Sequence, residues 1–178
     1  MVFPLFITML MGLIEFAFVF NATLSVNYAA RDAALAAAEA GDASGADCVI
    51  LSAIDSAIGA PTADDRVQTV EIFEARANGA LTGSPTIYAR GGSTSCTYID
   101  GSTATIPYSR TQNGYPEASR CNVLGGCDAI VVDDTVDNVG VRITYTHAWV
   151  TPLRNFIGGG PGGLTFDRSS VMRMEPIL

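Results

Sequence analysis

The stretch MVFPLFITMLMGLIEFAFVF, residues 1–20, decides how this chain is built. It carries a single charge, Glu15. About 20 apolar residues are what an α-helix needs to cross the roughly 30 Å hydrocarbon core of a bilayer. The stretch NATLSVNYAARDAALAAAEA follows at residues 21–40, and no Pro or Gly interrupts the sequence between Leu13 and Ala40. We therefore predict one continuous helix over residues 1–40, about 60 Å long.

The start of this helix differs from a secretory signal peptide. Such a peptide has a basic front, an apolar centre of roughly 7–15 residues and a cleavage site of small residues. Here no Lys or Arg precedes Arg31, and the apolar segment passes directly into the alanine-rich stretch. Pro4 lies where the first turn of a helix tolerates proline. We therefore predict a membrane anchor that forms the first half of a longer rod.

The composition limits what the rest of the chain does. Of 178 residues, 48% are hydrophobic and 16% are charged, against about 25% charged in an ordinary soluble domain. Residues 41–178 suffice for one exported globular head with its own core. The net charge of −8 argues against nucleic acid and anionic lipid as partners, because both attract clusters of basic residues.

The four cysteines all lie in the predicted head, at Cys48, Cys96, Cys121 and Cys127. An even number in a small exported domain favours two disulfides. A zinc site is the less favoured alternative, because no CxxC pair occurs and the lone histidine, His147, is distant in sequence. Three pairings are possible. We prefer Cys96 with Cys121 or Cys127, which leaves Cys48 to connect the end of the rod to the head.

The head combines a short helix with a sheet. The Gly-, Asp- and Ser-rich residues 41–47 end the rod, and apolar residues at helical spacing predict a second helix over residues 48–58. Alternating β-branched and aromatic residues then predict four strands of an antiparallel sheet, over residues 67–76, 85–89, 140–151 and 164–174. The predicted fold class is therefore α+β, with a long loop at residues 91–138 held by disulfides.

Several blocks of residues resemble one known family. Pro4 with the apolar stretch after it, GLIEF at residues 12–16 and NYAARDAA at residues 27–34 are similar to the N-terminal signature of TadE-like pilins of the tight-adherence pilus system. Segments of the C-terminal part resemble the closing strands of that family and its Arg-x-Glu-Pro ending, at residues 141–145, 151–153, 164–166 and 171–176.

The resemblance implies a type IV pilin-like structural subunit. Such a subunit is made as a precursor anchored in the cytoplasmic membrane, trimmed by a prepilin peptidase and extruded by an assembly platform into an extracellular filament made of its own copies. A basic leader, a small residue at the cut and an early acidic residue do not precede the matching block here, so we expect the mature start at or just before Met1. Filament packing is expected from residues of the rod: Phe3, Pro4, Phe6, Met9, Leu13, Glu15, Phe16, Phe20, Ala30 and Ala34.

Two features of the rod carry alternative interpretations. Glu15 in an apolar segment predicts a polar contact that sets the register between neighbouring subunits, or a local bond to a hydroxyl such as that of Thr8 or Thr23. The alanines of residues 29–40 predict either close packing between rods or simply a strong helix former. We favour close packing.

No pattern in the chain predicts catalysis or a cofactor. GxSxG and P-loop motifs are absent from the sequence, and His147 is expected to be a packed or surface side chain. The acidic residues Asp128, Asp133, Asp134 and Asp137 lack a calcium-loop pattern and are expected in a solvated loop. GGGPGG at residues 158–163 is expected to be a hairpin loop. The alternatives to a pilin are a minor or membrane-anchored assembly component, and a surface adhesin or lectin that binds through the loop at residues 91–138.

Overall fold

The computed structural model describes residues 2–98, 100–123, 127, 136–152 and 163–176. Two helices precede a set of five strands. In chain order these elements are α1 (Val2–Ala40), α2 (Ala46–Ala57), β1 (Val67–Ala75), β2 (Leu81–Thr97), β3 (Thr103–Asn113), β4 (Asn138–His147) and β5 (Leu164–Arg173). This arrangement confirms the predicted α+β class, the long first helix and the short second one.

The five strands form one sheet in the order β3-β2-β1-β4-β5, and every neighbouring pair is antiparallel. The prediction of about four strands missed β3 and the second half of β2, which fall in the predicted loop at residues 91–138. That loop prediction is wrong for residues 91–97 and 103–113. Pro107 lies inside β3, and an edge strand tolerates a proline that a central strand does not.

Both helices belong to one layer of the molecule. α1 packs on β4 and β5 and against α2. In β4, Val141, Ile143 and Tyr145 are buried, while Arg142 and Thr144 between them are only half-buried. The predicted alternation of a core face and a solvent face is therefore confirmed for this strand.

Small side chains let α1 lie close to the rest of the fold. From Ala22 onward, the residues at helical spacing on one face are at most 2% exposed: Ala22, Val26, Ala29, Ala30, Ala33, Ala34, Ala37 and Ala38. Ala30 and Ala34 were expected to pack against neighbouring rods, and this expectation needs correction. Both lie in the core of the chain itself, because the alanine face of α1 is covered by its own head.

Two disulfides join the four cysteines, as predicted, but the preferred pairing is wrong. Cys48 pairs with Cys96, and Cys121 pairs with Cys127. The reason is the unexpected length of β2, which carries Cys96 past the predicted strand end to a position beside α2. The Cys48–Cys96 bridge therefore fastens α2 to the sheet, and Cys48 does connect the region after the rod to the head.

A buried polar network holds the start of α2. The carboxylate of Glu117 accepts the N–H groups of Gly45 at 3.1 Å and Asp47 at 2.7 Å, which satisfies free donors at the helix N-terminus. The Asp47 carboxylate accepts the Tyr88 hydroxyl at 2.6 Å and pairs with the buried guanidinium of Arg120. These bonds connect α2 to β2 and to the segment before β4.

Candidate assembly surface on the first helix

The first half of α1 carries large apolar side chains that the fold leaves exposed. Phe3 is 74% exposed, Phe6 is 60% exposed and Met9 is 64% exposed. Of the residues from 3 to 14, none is buried. Exposed apolar surface of this extent marks a site for a membrane or for a protein partner.

The dimensions of this half match a bilayer. Among the described residues, α1 from Phe3 to Ala40 is the one helix long and apolar enough to cross a membrane. Residues 3–20 span about 27 Å at 1.5 Å per residue, close to the roughly 30 Å hydrocarbon core. The exposed half therefore suits either lipid or a bundle of similar helices.

Glu15 marks the point where the head reaches the helix. Its carboxylate accepts the backbone N–H of Thr151 at 2.8 Å and that of Val150 at 3.2 Å, and Nε2 of His147 lies 3.0 Å from its Oε1. Glu15 is only 3% exposed. Because it lies seven residues before Ala22, two helical turns, it belongs to the face that packs on the head.

These contacts account for the charge within the apolar segment. The predicted local partners were the hydroxyls of Thr8 and Thr23, and that alternative is wrong, because Glu15 is bound by the end of β4 and the turn after it. The Thr8 hydroxyl instead donates to the Leu5 carbonyl at 2.9 Å. The role of Glu15 in register between subunits stays a prediction. His147, expected to be packed or on the surface, is buried.

The predicted packing residues divide into two groups. One group lies on the exposed first half of α1: Phe3, Pro4, Phe6, Met9, Leu13, Phe16 and Phe20. The other group, Glu15, Ala30 and Ala34, lies on the face that the head buries. Spacing alone does not separate them, because both groups follow a helical period and both consist mainly of apolar residues.

Sequence reasoning did not predict that two residues of the C-terminal segment pack against this helix or bond to it. Met174 is buried, and the N–H of Glu175 donates to the Ala38 carbonyl at 3.0 Å, near the end of α1. A helix end has free carbonyls that need such donors. The sequence signal for this contact was the Arg-x-Glu-Pro ending. In the structure this ending fastens the C-terminal segment to the last turn of α1.

The ionisable groups of the head serve mainly as internal hydrogen-bond partners. Tyr88, Tyr108 and Tyr115 each donate to an aspartate, at 2.6–2.8 Å. Burial raises the pKa of all three phenols above the ordinary value of about 10, and the neighbouring carboxylates raise it further. The phenols thus remain neutral donors.

A metal centre finds no support in the described residues. They contain no cluster of three or more His, Cys, Asp or Glu able to hold an ion. Of the predicted acidic loop, Asp137 is engaged by the Tyr115 hydroxyl and the Cys121 N–H. Asp128, Asp133 and Asp134 lie outside the described residues, as does GGGPGG except for Gly163.

Comparison with known protein families gives a match that covers most of this helix. A family model described as TadE-like protein matches residues 1–35. No curated protein and no solved structure matches the chain. The family match confirms the resemblance over most of α1, including its exposed half and Glu15. Residues 1–35 are thus similar to TadE-like proteins. This similarity, together with the apolar N-terminal helix, indicates a membrane-anchored or surface pilus component.

Proposed function

We propose that this chain is a structural pilin subunit of a tight-adherence, type IV-like pilus that serves adhesion at the cell surface. Copies polymerise through the first half of α1, which lies in the membrane before assembly and in the filament core afterwards. One observation carries the proposal: no residue from 3 to 14 is buried, whereas the head covers one face of the same helix from Glu15 onward.

The energy available from covering this surface is large. Ten large apolar side chains between Phe3 and Phe20 are exposed: Phe3, Leu5, Phe6, Ile7, Met9, Leu10, Leu13, Ile14, Phe16 and Phe20. Complete burial of one fully exposed side chain of this kind is worth about 1.5–3 kcal/mol. Because these ten are between 38% and 74% exposed, covering them gains roughly 9–17 kcal/mol before the entropy cost of association. This supports a filament that persists outside the membrane.

The resemblance supplies the partners of the proposed pathway. A prepilin peptidase trims the precursor, and an assembly platform moves the subunit from the cytoplasmic membrane into the extracellular filament. The role is structural and non-enzymatic, without a cofactor or a nucleic-acid partner. The adhesin alternative has less support, because residues 91–97 belong to β2 and residues 103–113 form β3, so they are not a free loop.

A minor or membrane-anchored assembly component is the second candidate. The observation that supports it is the length of the exposed half of α1, which matches a bilayer of about 30 Å as well as it matches a helix bundle. The two candidates differ in where the mature chain accumulates.

Shearing the cell surface and imaging the released material by cryo-electron microscopy tests the proposal. Mass spectrometry then identifies the main filament protein and its N-terminal peptide. We expect filaments built mainly of this chain. Filaments without it, and with the protein retained in the membrane fraction, would favour the anchored component.

A charged residue placed in the exposed half gives the matched test. Met9→Lys should remove the chain from filaments, because a buried unpaired ammonium is costly. Val123→Lys places the same charge on an exposed apolar residue of the head and should leave assembly intact. Equal assembly of both variants would contradict polymerisation through the first half of α1.

A further inference from the structure

The second half of α1 also presents an exposed row of large side chains. Leu24, Tyr28, Arg31 and Leu35, here called the outer stripe, follow one another at intervals of three or four residues, and all four are exposed. Such residues share one face of a helix. The distance from Phe3 to Leu35 is about 48 Å, which exceeds the roughly 30 Å bilayer core. A membrane that covers the first half therefore does not also cover the outer stripe.

The outer stripe ends at a groove. A cavity of about 600 Å³ lies where the end of α1, the start of α2 and the tip of the β2–β3 hairpin meet. Apolar side chains, among them Val49 and Ala40, line it together with Tyr98, and the carboxylates of Glu39, Asp42 and Asp100 lie along it. We call it the acidic groove.

The charges of the stripe and the groove are complementary. Asp42 accepts a bond from the Asn122 side chain, and Asp100 accepts bonds from Ser102. Within the part of the chain that the structure describes, Glu39 and Arg31 have no such partner and no ion pair. They lie on the same face of α1, but eight residues separate them, about 12 Å along the axis, so they do not pair with each other.

We propose that the acidic groove of one copy receives the outer stripe of a second copy, with Arg31 facing Glu39. The inference rests on the proposed function, because it names the subunit contact that lies beyond the membrane-length segment. It requires parallel helices displaced by about 12 Å along their axes. Because the two surfaces differ, the contact is heterologous and extends into an open filament rather than a closed dimer.

A charge exchange tests this contact in cells that make the filament. Arg31→Glu and Glu39→Arg each create a like-charge pair at the interface. Each should lower the yield of sheared filaments about tenfold, equivalent to about 1.4 kcal/mol per contact. The double variant carries both changes, restores opposite charges and should return the yield to that of the original chain. Arg76→Glu reverses the charge of an exposed arginine on the β1–β2 turn and is the matched control.

The outcomes separate this inference from the proposed function. If the unaltered chain forms no filaments, the proposed function itself fails. If it forms them and Arg31→Glu assembles with unchanged yield, the contact is absent. Loss in both single variants without recovery in the double variant also overturns the pairing of Arg31 with Glu39.

Cross-linking gives a second measurement that does not depend on yield. A displacement of eight residues sets Leu35 of one copy beside Ala43 of its neighbour. When Leu35→Cys and Ala43→Cys subunits are co-expressed, a short thiol cross-linker should join them into dimers in the filament. Each variant expressed alone is the control, since the native cysteines are held in disulfides. Absence of the mixed dimer from intact filaments would refute the contact.

Discussion

The two halves of α1 are both strongly apolar, yet they differ in what covers them. Residues 3–14 carry large side chains, and none of these residues is buried. From Ala22 onward one face consists mainly of alanines, and the head of the same chain buries it. The difference lies in side-chain size and spacing. Small residues on one face allow a sheet to approach a helix, whereas large residues all round it leave room for lipid or for other helices.

Glu15, within the first half, is the first of the described residues of α1 to be buried by the head. A carboxylate in an apolar helix is costly unless it is bonded, and here the end of β4 supplies the bonds. The head thus begins to cover the rod at one specific residue. If the second half belongs to the head and the first half is independent of it, substitutions in the two halves will differ in their effect on the unfolding of the head.

The largest effect is expected from the disulfide that fastens α2, the helix beside the second half of α1. Cys48–Cys96 spans 48 residues and Cys121–Cys127 spans 6. By loop entropy, replacing the first pair with alanines should cost about 4 kcal/mol and replacing the second about 2 kcal/mol. Denaturant unfolding of the detergent-solubilised chain measures both. Equal losses would contradict the larger stabilisation that we expect from the longer bridge.

The alanine face should tolerate no enlargement. Ala33→Leu inserts extra volume where α1 meets its head, and we expect a loss of about 3 kcal/mol in unfolding free energy, at the upper end for overpacking. Ala17→Leu makes the same change at an exposed position of the first half. It should leave the unfolding of the head unchanged. Similar losses from both would remove the distinction between the halves.

The sequence predicted the rod, the second helix and the four strongest strands, because their apolar periodicity is clear. The strand prediction failed at residues 91–97 and 103–113. There β2 and β3 are rich in Gly, Ser and Thr and contain Pro107, so they lack the alternation that indicates a strand. The same error led to the wrong pairing for Cys96, since its place beside α2 depends on the full length of β2.

The candidate site was predictable only in part. The exposed residues of the first half follow from hydrophobicity and length alone. The sequence does not reveal that Ala30 and Ala34 belong to the core, because an alanine stripe fits a neighbouring rod as well as a sheet. The contacts of Glu15 join residues more than 130 positions apart, and no local pattern encodes such a pairing.

A smaller loss of stability is expected from a substitution at Glu15, where the head begins to cover α1. Glu15→Gln keeps the shape of the side chain but replaces one accepting oxygen by a donor, which faces the N–H groups of Val150 and Thr151. We expect about 2 kcal/mol of destabilisation, because buried donors lose their acceptor. Glu39→Gln is the matched change at an exposed position and should cost almost nothing. An unchanged stability of Glu15→Gln would show that the head does not depend on this contact.

The head should also lose stability in alkali, and Tyr108 contributes to this. Its pKa in the folded chain is raised by burial and by the bond to Asp55. Its contribution is therefore full below the unfolded pKa of about 10 and is lost as the pH rises through the folded value. Tyr108→Phe should cost about 1 kcal/mol at neutral pH and should make the fall in stability above pH 10 less steep. Unfolding curves from pH 7 to 11 measure both, and an unchanged slope would contradict the assignment.

The smallest effect on the head is expected from the most exposed half of the helix. Phe6→Ala removes a large side chain that the fold does not bury, and the unfolding free energy of the detergent-solubilised chain should change by less than about 0.5 kcal/mol. The same variant should weaken assembly, because Phe6 is covered only when copies associate. Sheared filament yield measures the second quantity. A destabilised head would instead mean that the first half folds back on its own subunit, and the comparison between the halves would then fail.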